Sequence, residues 1–422
     1  MTLRWNRLHA ELGIEPGPLN FSNLRDAVAQ SVVEHSDLDW KQQLPAKADN
    51  AEFAKDVAAM ANAGGGLIVF GVVEKAGAGS AESFLPSTAT ESQLKQLRAW
   101  AGNMISPGVY GLQFEEISDG SDSAVLLWVP GSDATPHFVG GAERLAAPFR
   151  NGPDTRWLSE PEIERAYSDR FERRRSANQQ LDEQIAYLRT RLDLSENPWI
   201  VCATLGGPQA IERMSATTAG QIIKSADQRV RDFGLLEQRM SPIVTLGDSR
   251  MNPRAGLRRW TFNQISTSTS GKVTGAAAEI RDNGSCVLAF ELEPRLDDLN
   301  ELVQVPSQDV EGAALDFAIL AQEIARHRDE EGPRPYHIEI IRSDDDVPLR
   351  VVDNTHYPEG NSRSLDVITW ATPIWRFEPV QGDLPGVIPS SSIVDLASRI
   401  ALEVLNQFGV DTLYYMPSNA PG

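Results

Sequence analysis

The stretch AEFAKDVAAMANAGGGLIVFGVVE, Ala51 to Glu74, decides the fold of the first part of the chain. Asp49 with Glu52 three residues on is a capping-box start for a helix. Phe53, Val57, Met60 and Ala61 then fall on one apolar face. Gly64 predicts the stop, as a helix C-terminal cap. Gly65 and Gly66 permit a tight entry into the next segment. That segment, LIVFGVV, is β-branched and nearly all apolar, which predicts one strand covered on both faces and ending at Glu74. The order of these pieces bears on function. A phosphate cradle needs the strand first, then glycines, then the positive end of a helix. Here the glycines meet the carbonyl-rich end of the helix. The other near match to a phosphate loop, STSTSGKVTG at 266–275, lacks the first Gly. It also has Val where Ser or Thr would hold magnesium. ATP binding is therefore not expected from the sequence.

Outward from this core, SNLRDAVAQSVV (22–33) carries Leu24, Val28 and Val32 at helical spacing. The second half of VVEHSDLDWKQQL, with Leu38 and Trp40, predicts a strand. Residues 90–102 predict a helix, SAVLLWVP (123–130) a buried strand, and PFRNG (148–152) a loop and edge strand. Ser159-Glu-Pro-Glu162 is a helix start. That helix runs on to about residue 193, long enough to bridge two domains. After Pro198 the composition restarts with WIVCATL. Residues 277–293 predict a hairpin about Asn283-Gly284. Residues 312–328 and 391–408 predict amphipathic helices, and YHIEIIR with LRVVD predicts a second hairpin across SDDDVP. The organisation expected is an α/β domain at 1–158, a connecting helix at 159–195, and a separate α+β domain at 196–422.

The 422 residues carry a net charge of −20, with 39 Lys+Arg against 59 Asp+Glu, and both halves are acidic. Strong non-specific nucleic-acid binding, which rests on phosphate neutralisation, is disfavoured. A local basic face is not. The two cysteines, Cys202 and Cys286, make no disulfide framework. The six histidines show no zinc-ligand spacing. The N-terminus lacks the apolar core of a signal peptide, and no apolar run is long enough to span a bilayer. A cytoplasmic protein is expected.

Three acids draw attention. Glu34 and Asp39 flank the entry to the first strand, and Glu74 comes just after LIVFGVV. If the two strands are neighbours, these carboxylates converge at one edge. They are then either solvated loop charges, with Lys41 as an ion-pair partner, or a ligand set for Mg²⁺ or Mn²⁺ acting on a phosphodiester. Lys41 lies on the same strand face as Asp39. Arg165, Arg170, Arg173, Arg174 and Arg175 form a basic stretch, but Glu162, Glu164, Asp169 and Glu172 interleave with it, as on a solvated helix face. His137 suits either a catalytic or a structural role. Trp199, Trp260, Trp370 and Trp375 read as core or interface residues. Asp344–Asp346 read as a polar turn.

The pattern Glu34-H-S-D-L-Asp39-W-Lys41, then AMA-Asn62-A-G-Gly65-G-L-I-V-F-Gly71-V-V-Glu74, resembles the Schlafen AlbA-like domain, also called the divergent AAA family. The family form is an E-x4-E-x-K strand, a helix ending A-x-A-N-x-x-G-G, and a strand ending G-V-x-D. PFRNGPDTRWLSEPEI resembles its closing arginine-glycine segment, so the likeness covers about residues 30–175. It implies a nucleic-acid-facing domain. Vertebrate Schlafens use three carboxylates at these places for metal-dependent RNA cleavage, whereas many bacterial members resemble DNA-binding regulators and carry an ATP-binding label. By position, the metal-holding triad would be Glu34, Asp39 and Glu74, with Lys41 beside it as a catalytic residue. Lys41, Asn62, Gly65, Gly66 and Arg150 would face nucleic acid, either RNA or DNA. Here the second acid is Asp and the third is Glu, and each exchange changes reach by about 1.5 Å. With one such domain per chain, a homodimer is the simple route to a two-lobed RNA clamp.

Overall fold

The computed structural model describes residues 6–120, 122–141, 144–195, 197–207, 213–233, 241–248, 253–265, 272–292, 302–328, 330, 332–343, 346–352, 371–413 and 415–416. Residues 266–271 of the near-match phosphate loop, Asp344 and Asp345 of the polar turn, and Trp370 lie outside them. The chain divides into two compact units, residues 1–175 and 176–422, and the division falls inside the long helix.

The first unit opens with α1 (Arg7–Leu12) and α2 (Phe21–Ala29), then β1 (Leu38–Lys41), α3 (Asn50–Asn62) and β2 (Gly65–Phe70). It continues with β3 (Val72–Glu74), β4 (Ala81–Phe84), α4 (Glu91–Asn103), β5 (Ile105–Ser106), β6 (Gln113–Ser118) and β7 (Ser123–Pro130). The small strands β8 (Phe138–Gly141), β9 (Arg144–Ala146), β10 (Pro148–Asn151) and β11 (Asp154–Trp157) precede α5 (Glu160–Arg189). The central sheet has the order β1-β2-β7-β6. β1 and β2 are parallel neighbours, with Asp39 opposite Ile68. The other two pairings are antiparallel.

Alternation along β2 sends Ile68 and Phe70 to one face, where they pack with Phe53, Val57 and Met60 of α3 and Leu97 of α4. It sends Leu67 and Val69 to the other, with Leu24 of α2 and Trp40. β1 is an edge strand. Its Leu38 and Trp40 join the second face, so Asp39 and Lys41 face the α3 side.

Local chemistry departs from expectation in three places here. α2 ends early, because Ser31 takes a positive φ of 51°. The capping box at Asp49 does not form: Asp49 Oδ2 accepts from Ala46 N–H (3.1 Å) and closes a short 3₁₀ turn, while Glu52 pairs with Lys55. LIVFGVV is not one strand. Gly71 (φ +110°) breaks it, and β3 leaves the central sheet to pair with β4.

The second unit contains β12 (Trp199–Thr204), α6 (Ala216–Asp232), α7 (Pro242–Asp248), β13 (Arg254–Gly256), β14 (Arg259–Ile265), β15 (Val273–Arg281) and β16 (Cys286–Glu291). After these come β17 (Val303–Pro306), α8 (Ser307–Arg328), β18 (Arg334–Ile341), β19 (Leu349–Val352), β20 (Val380–Leu384) and α9 (Ile393–Asn406). Seven strands form an antiparallel sheet in the order β13-β14-β15-β16-β12-β18-β20. One face packs on α6, α8 and α9 through Ile222, Phe317, Ile324 and Ile400, and the other on Leu181, Ile185 and Leu188 of α5. The hairpin about Asn283-Gly284 forms as expected. The second one does not. β18 pairs with β12 and β20, whereas β19 pairs in parallel with β17 outside the main sheet. Both segments are apolar enough to be buried, and tertiary partners override the local turn.

Candidate functional site

Gly64 is required by its backbone conformation alone, Gly66 by close backbone approach, and Gly65 by both. Gly64 and Gly65 have φ of +103° and +90°, a region that side chains rarely adopt. A Cβ on Gly65 would lie 2.4 Å from the nitrogen of Gly131, and one on Gly66 would lie 2.5 Å from the carbonyl oxygen of Asp37. The start of β2 is thus wedged between its two neighbours.

Asn62 closes the same corner. Its Nδ2 donates to the carbonyls of His137 (2.9 Å) and Pro148 (2.7 Å), and its Oδ1 accepts from the His137 N–H (2.8 Å). These bonds hold the first residue of β10, two positions before Arg150. His137 is fully buried, and its Nδ1 donates to the carbonyl of Pro107 (2.6 Å). Burial lowers its pKa. This is a structural histidine, and its Nε2 has no partner among the described residues.

Arg150 reaches across from β10 to the open edge of β1. It is buried, and its guanidinium donates to Asp39 Oδ1 (2.8 Å) and to the carbonyls of His35 (3.2 Å) and Leu38 (3.3 Å). Glu34 lies 3.9 Å from the same guanidinium, and its Oε1 accepts from the Trp40 N–H (2.7 Å). Because β1 is an edge strand, the Trp40 N–H meets a side chain rather than a strand on that side, and the Leu38 carbonyl has the His35 N–H (3.0 Å) of a single bridge beside Arg150. Glu34 and Arg150 therefore do for this edge what a further strand would do.

The charges are matched as well. Asp39 is 1% exposed and lies between Arg150 and Lys41, whose Nζ is 3.0 Å from Oδ2. Lys41 also reaches Asp56 of α3 (3.3 Å). Burial pushes the Glu34 carboxyl up to about 8, and the neighbouring Asp39 charge adds to it, against the opposing Trp40 N–H. Burial likewise raises Asp56, against the pull of Lys41. Burial alone would lower the Lys41 pKa, but Asp39 and Asp56 more than offset it and the net shift is upward. With Glu34 held protonated near neutral pH, Asp39 and Asp56 face the two cations Lys41 and Arg150.

Glu34, Asp39, Lys41 and Arg150 are thus brought together. Glu74 ends β3 half-buried, near enough for its charge to raise Glu34 further. Asn62, Gly65 and Gly66 lie at the helix–strand turn, and their close contacts are with backbone atoms. Asp56 was not singled out in the sequence. Its signal was an acid inside the apolar stripe of α3, between Phe53 and Val57. As arranged, the cluster does not suit a divalent cation. Arg150 and Lys41 occupy Asp39, the Trp40 N–H occupies Glu34, and among the described residues no three His, Cys, Asp or Glu side chains are grouped to hold a metal.

The basic stretch on α5 is partly neutralised. Arg175 pairs with Glu172 (3.0 Å), and Arg173 lies 3.7 Å from the Asp133 carboxylate. Beside it the rings of Phe138, Tyr167 and Phe171 stack at centroid distances of 6.2 and 6.3 Å. Phe171 is 60% exposed. In the second unit Trp199 is core, Trp260 packs against the core, and Trp375 is exposed. Among the described residues no helix is long and apolar enough to cross a membrane.

Residues 34–155 match the model of the Schlafen, AlbA_2 family. No curated protein matches. Two solved structures are similar over the first third of the chain. One is the N-terminal domain of an ATP-dependent DNA helicase RecG-related protein from Nitrosomonas europaea: 15% identity, 34% of this chain and 96% of that one, TM-score 0.26. The other is the DIP2311 protein from Corynebacterium diphtheriae: 17% identity, 35% of this chain and 27% of that one, TM-score 0.25.

Proposed function

We propose that this protein is a nucleic-acid-binding regulator whose first unit makes the contact, and that its acid cluster is structural. The observation that carries the reading is the Schlafen AlbA_2 match over residues 34–155. Two features support binding over cleavage. The carboxylates that a nuclease would turn toward metal are already engaged by Arg150, Lys41 and the β1 backbone. The exposed Tyr167–Phe171 stack offers a platform for unpaired bases, with Arg170 and Arg174 one turn along the helix for phosphates. Single-stranded nucleic acid is then preferred to duplex. ATP has no cradle in this helix–glycine–strand order, and a homodimer is not needed. Residues 196–422 serve as a separate α+β domain, which a cooperative unfolding transition of its own would support and a single transition shared with the first unit would oppose.

The test is one gel with tRNA, single-stranded RNA and duplex DNA at low salt, with Mn²⁺ or EDTA. A mobility shift that is independent of metal, strongest for single strands and weakened at least several-fold by Phe171→Ala, is the expected result. Metal-dependent cleavage that Glu34→Ala abolishes would make the protein a ribonuclease and overturn the structural role of the cluster. The absence of any shift would overturn nucleic-acid binding itself.

A further inference from the structure

The second unit carries a site that owes nothing to the first. Along β15, alternate residues Ala277, Glu279 and Arg281 share the face covered by the C-terminal half of α5. Arg259 on β14 stands directly opposite Arg281. Glu279 is 3% exposed and accepts Arg191 at 2.7 Å, with Arg259 at 3.7 Å. Three guanidinium groups therefore crowd one carboxylate, in a protein whose net charge is −20. Arg259 has a second partner in the ring of Tyr187, 4.2 Å away. Arg281 is half-buried, makes no side-chain hydrogen bond or ion pair among the described residues, and has its Nε buried and unpartnered. Two acids adjoin the lining. Glu330 Oε1 is held by Arg328 (2.5 Å) and the Gly207 N–H (3.3 Å), with its Oε2 3.8 Å from Arg334, and Asp282 accepts the Met214 N–H (3.1 Å).

Arg281 lines a cavity of about 430 Å³ at the end of the sheet, walled by Gln180 and Gln184 of α5 and floored by Gly206, Asn283 and Ser285. That volume is in the range of small-molecule sites. The floor has no room for a side chain at 206, where a Cβ would lie 1.9 Å from the Asn283 carbonyl oxygen. Ser285 is fully buried and its Oγ accepts from the Gly206 N–H (2.9 Å), which leaves its proton to donate. Gln184 is 7% exposed and its Oε1 has no hydrogen-bond partner among the described residues. A half-buried guanidinium without a counter-charge of its own and a buried acceptor without a donor are each costly. A single molecule with an acidic group and an N–H or O–H would relieve both.

We propose that this cavity binds a small organic anion. Its carboxylate or phosphate sits on Arg281 and a donor group faces Gln184. The site would let the second unit sense a metabolite.

The test is calorimetry on the full chain at fixed ionic strength, with adenosine monophosphate, inorganic phosphate and succinate as probes and chloride as the control. Saturable binding of at least one probe, weakened tenfold or more by Arg281→Gln, is expected. Binding by the two phosphates alone assigns a phosphate ligand, and binding by succinate alone a carboxylate. Hydrogen exchange on the unaltered protein should show protection at residues 205–207 and 282–285, and this readout stands even if the variant fails to fold. No saturable binding by any probe, equal affinity in Arg281→Gln, or protection confined to the first unit would each overturn the proposal.

Discussion

Replacing Glu34 by Gln tests the charge balance of the β1 edge directly. Glu34 is 7% exposed, and its carboxyl is pushed from an ordinary 4.5 to about 8, first by burial and then by Asp39. Below pH 4.5 the group is protonated in both the folded and the unfolded chain. Between 4.5 and 8 the unfolded chain gives up the proton while the folded chain keeps it. Stability contributed by the neutral form is therefore full at low pH and lost as pH rises through this window. The loss is up to about 5 kcal/mol, at no more than about 1.4 kcal/mol per pH unit. Glutamine is neutral throughout. It keeps an acceptor for the Trp40 N–H and places an NH₂ toward Asp39, where the protonated acid has its hydroxyl. The variant should match the wild type at pH 5 and exceed it progressively to pH 8. Urea midpoints at pH 5, 6, 7 and 8 would show this as a gap that opens to more than about 1 M at pH 8. Hydrogen exchange of β1 and β2 amides assigns the transition to the first unit. Other groups titrate in the same range, so the difference between the two proteins is the quantity to read. Parallel midpoints across the range would mean that Glu34 is ionised in the fold, and that burial does not hold its proton.

Arg150→Met should destabilise the first unit by about 3–5 kcal/mol, because Asp39 keeps a buried charge without its partner; a urea midpoint unchanged within error would refute the edge-closing role. Asn62→Ala should cost about 2–4 kcal/mol by leaving the His137 N–H and two carbonyls unsatisfied. It should also loosen β10, seen as faster exchange at residues 148–151. Gly65→Ala should fold poorly or not at all, since its Cβ would meet the Gly131 backbone at 2.4 Å; soluble expression with a wild-type melting temperature would contradict the wedged turn.

Much of the first unit was legible because its signals are local. The period-3.6 face of Phe53, Val57 and Met60 and the apolar run Leu67–Phe70 can be read from spacing alone. The break at Gly71 was also written in the sequence, yet a lone glycine in an apolar run does not say whether the strand bulges or ends. The hairpin expected between β18 and β19 failed for a different reason. Turn residues between two apolar segments permit a hairpin, and only tertiary competition decides it. The site shows the same divide. Glu34, Asp39 and Lys41 lie within eight residues and were found together. Arg150, which sets their charge, arrives from a hairpin 111 residues away from Asp39. Asp56 was hidden in an apolar face.

The distant arginine also changes what the acids mean. Read in sequence, three carboxylates near two strand ends look like a ligand set with charge to spare. In the fold, β1 is an edge whose N–H and carbonyl groups must be satisfied without a neighbouring strand. A glutamate side chain can accept from such an N–H, and an arginine can donate to such a carbonyl. Placing both side chains there brings Asp39 into a dry site, and Lys41 and Asp56 then complete the neutralisation from the α3 side. The spacing of five residues between Glu34 and Asp39 has its origin in the same need. It lets the chain turn back at His35–Leu38, where the two residues exchange backbone hydrogen bonds of 3.0 and 3.3 Å, so that Glu34 lies alongside the strand it caps. Sheet closure thus accounts for the contacts that Glu34 and Arg150 make.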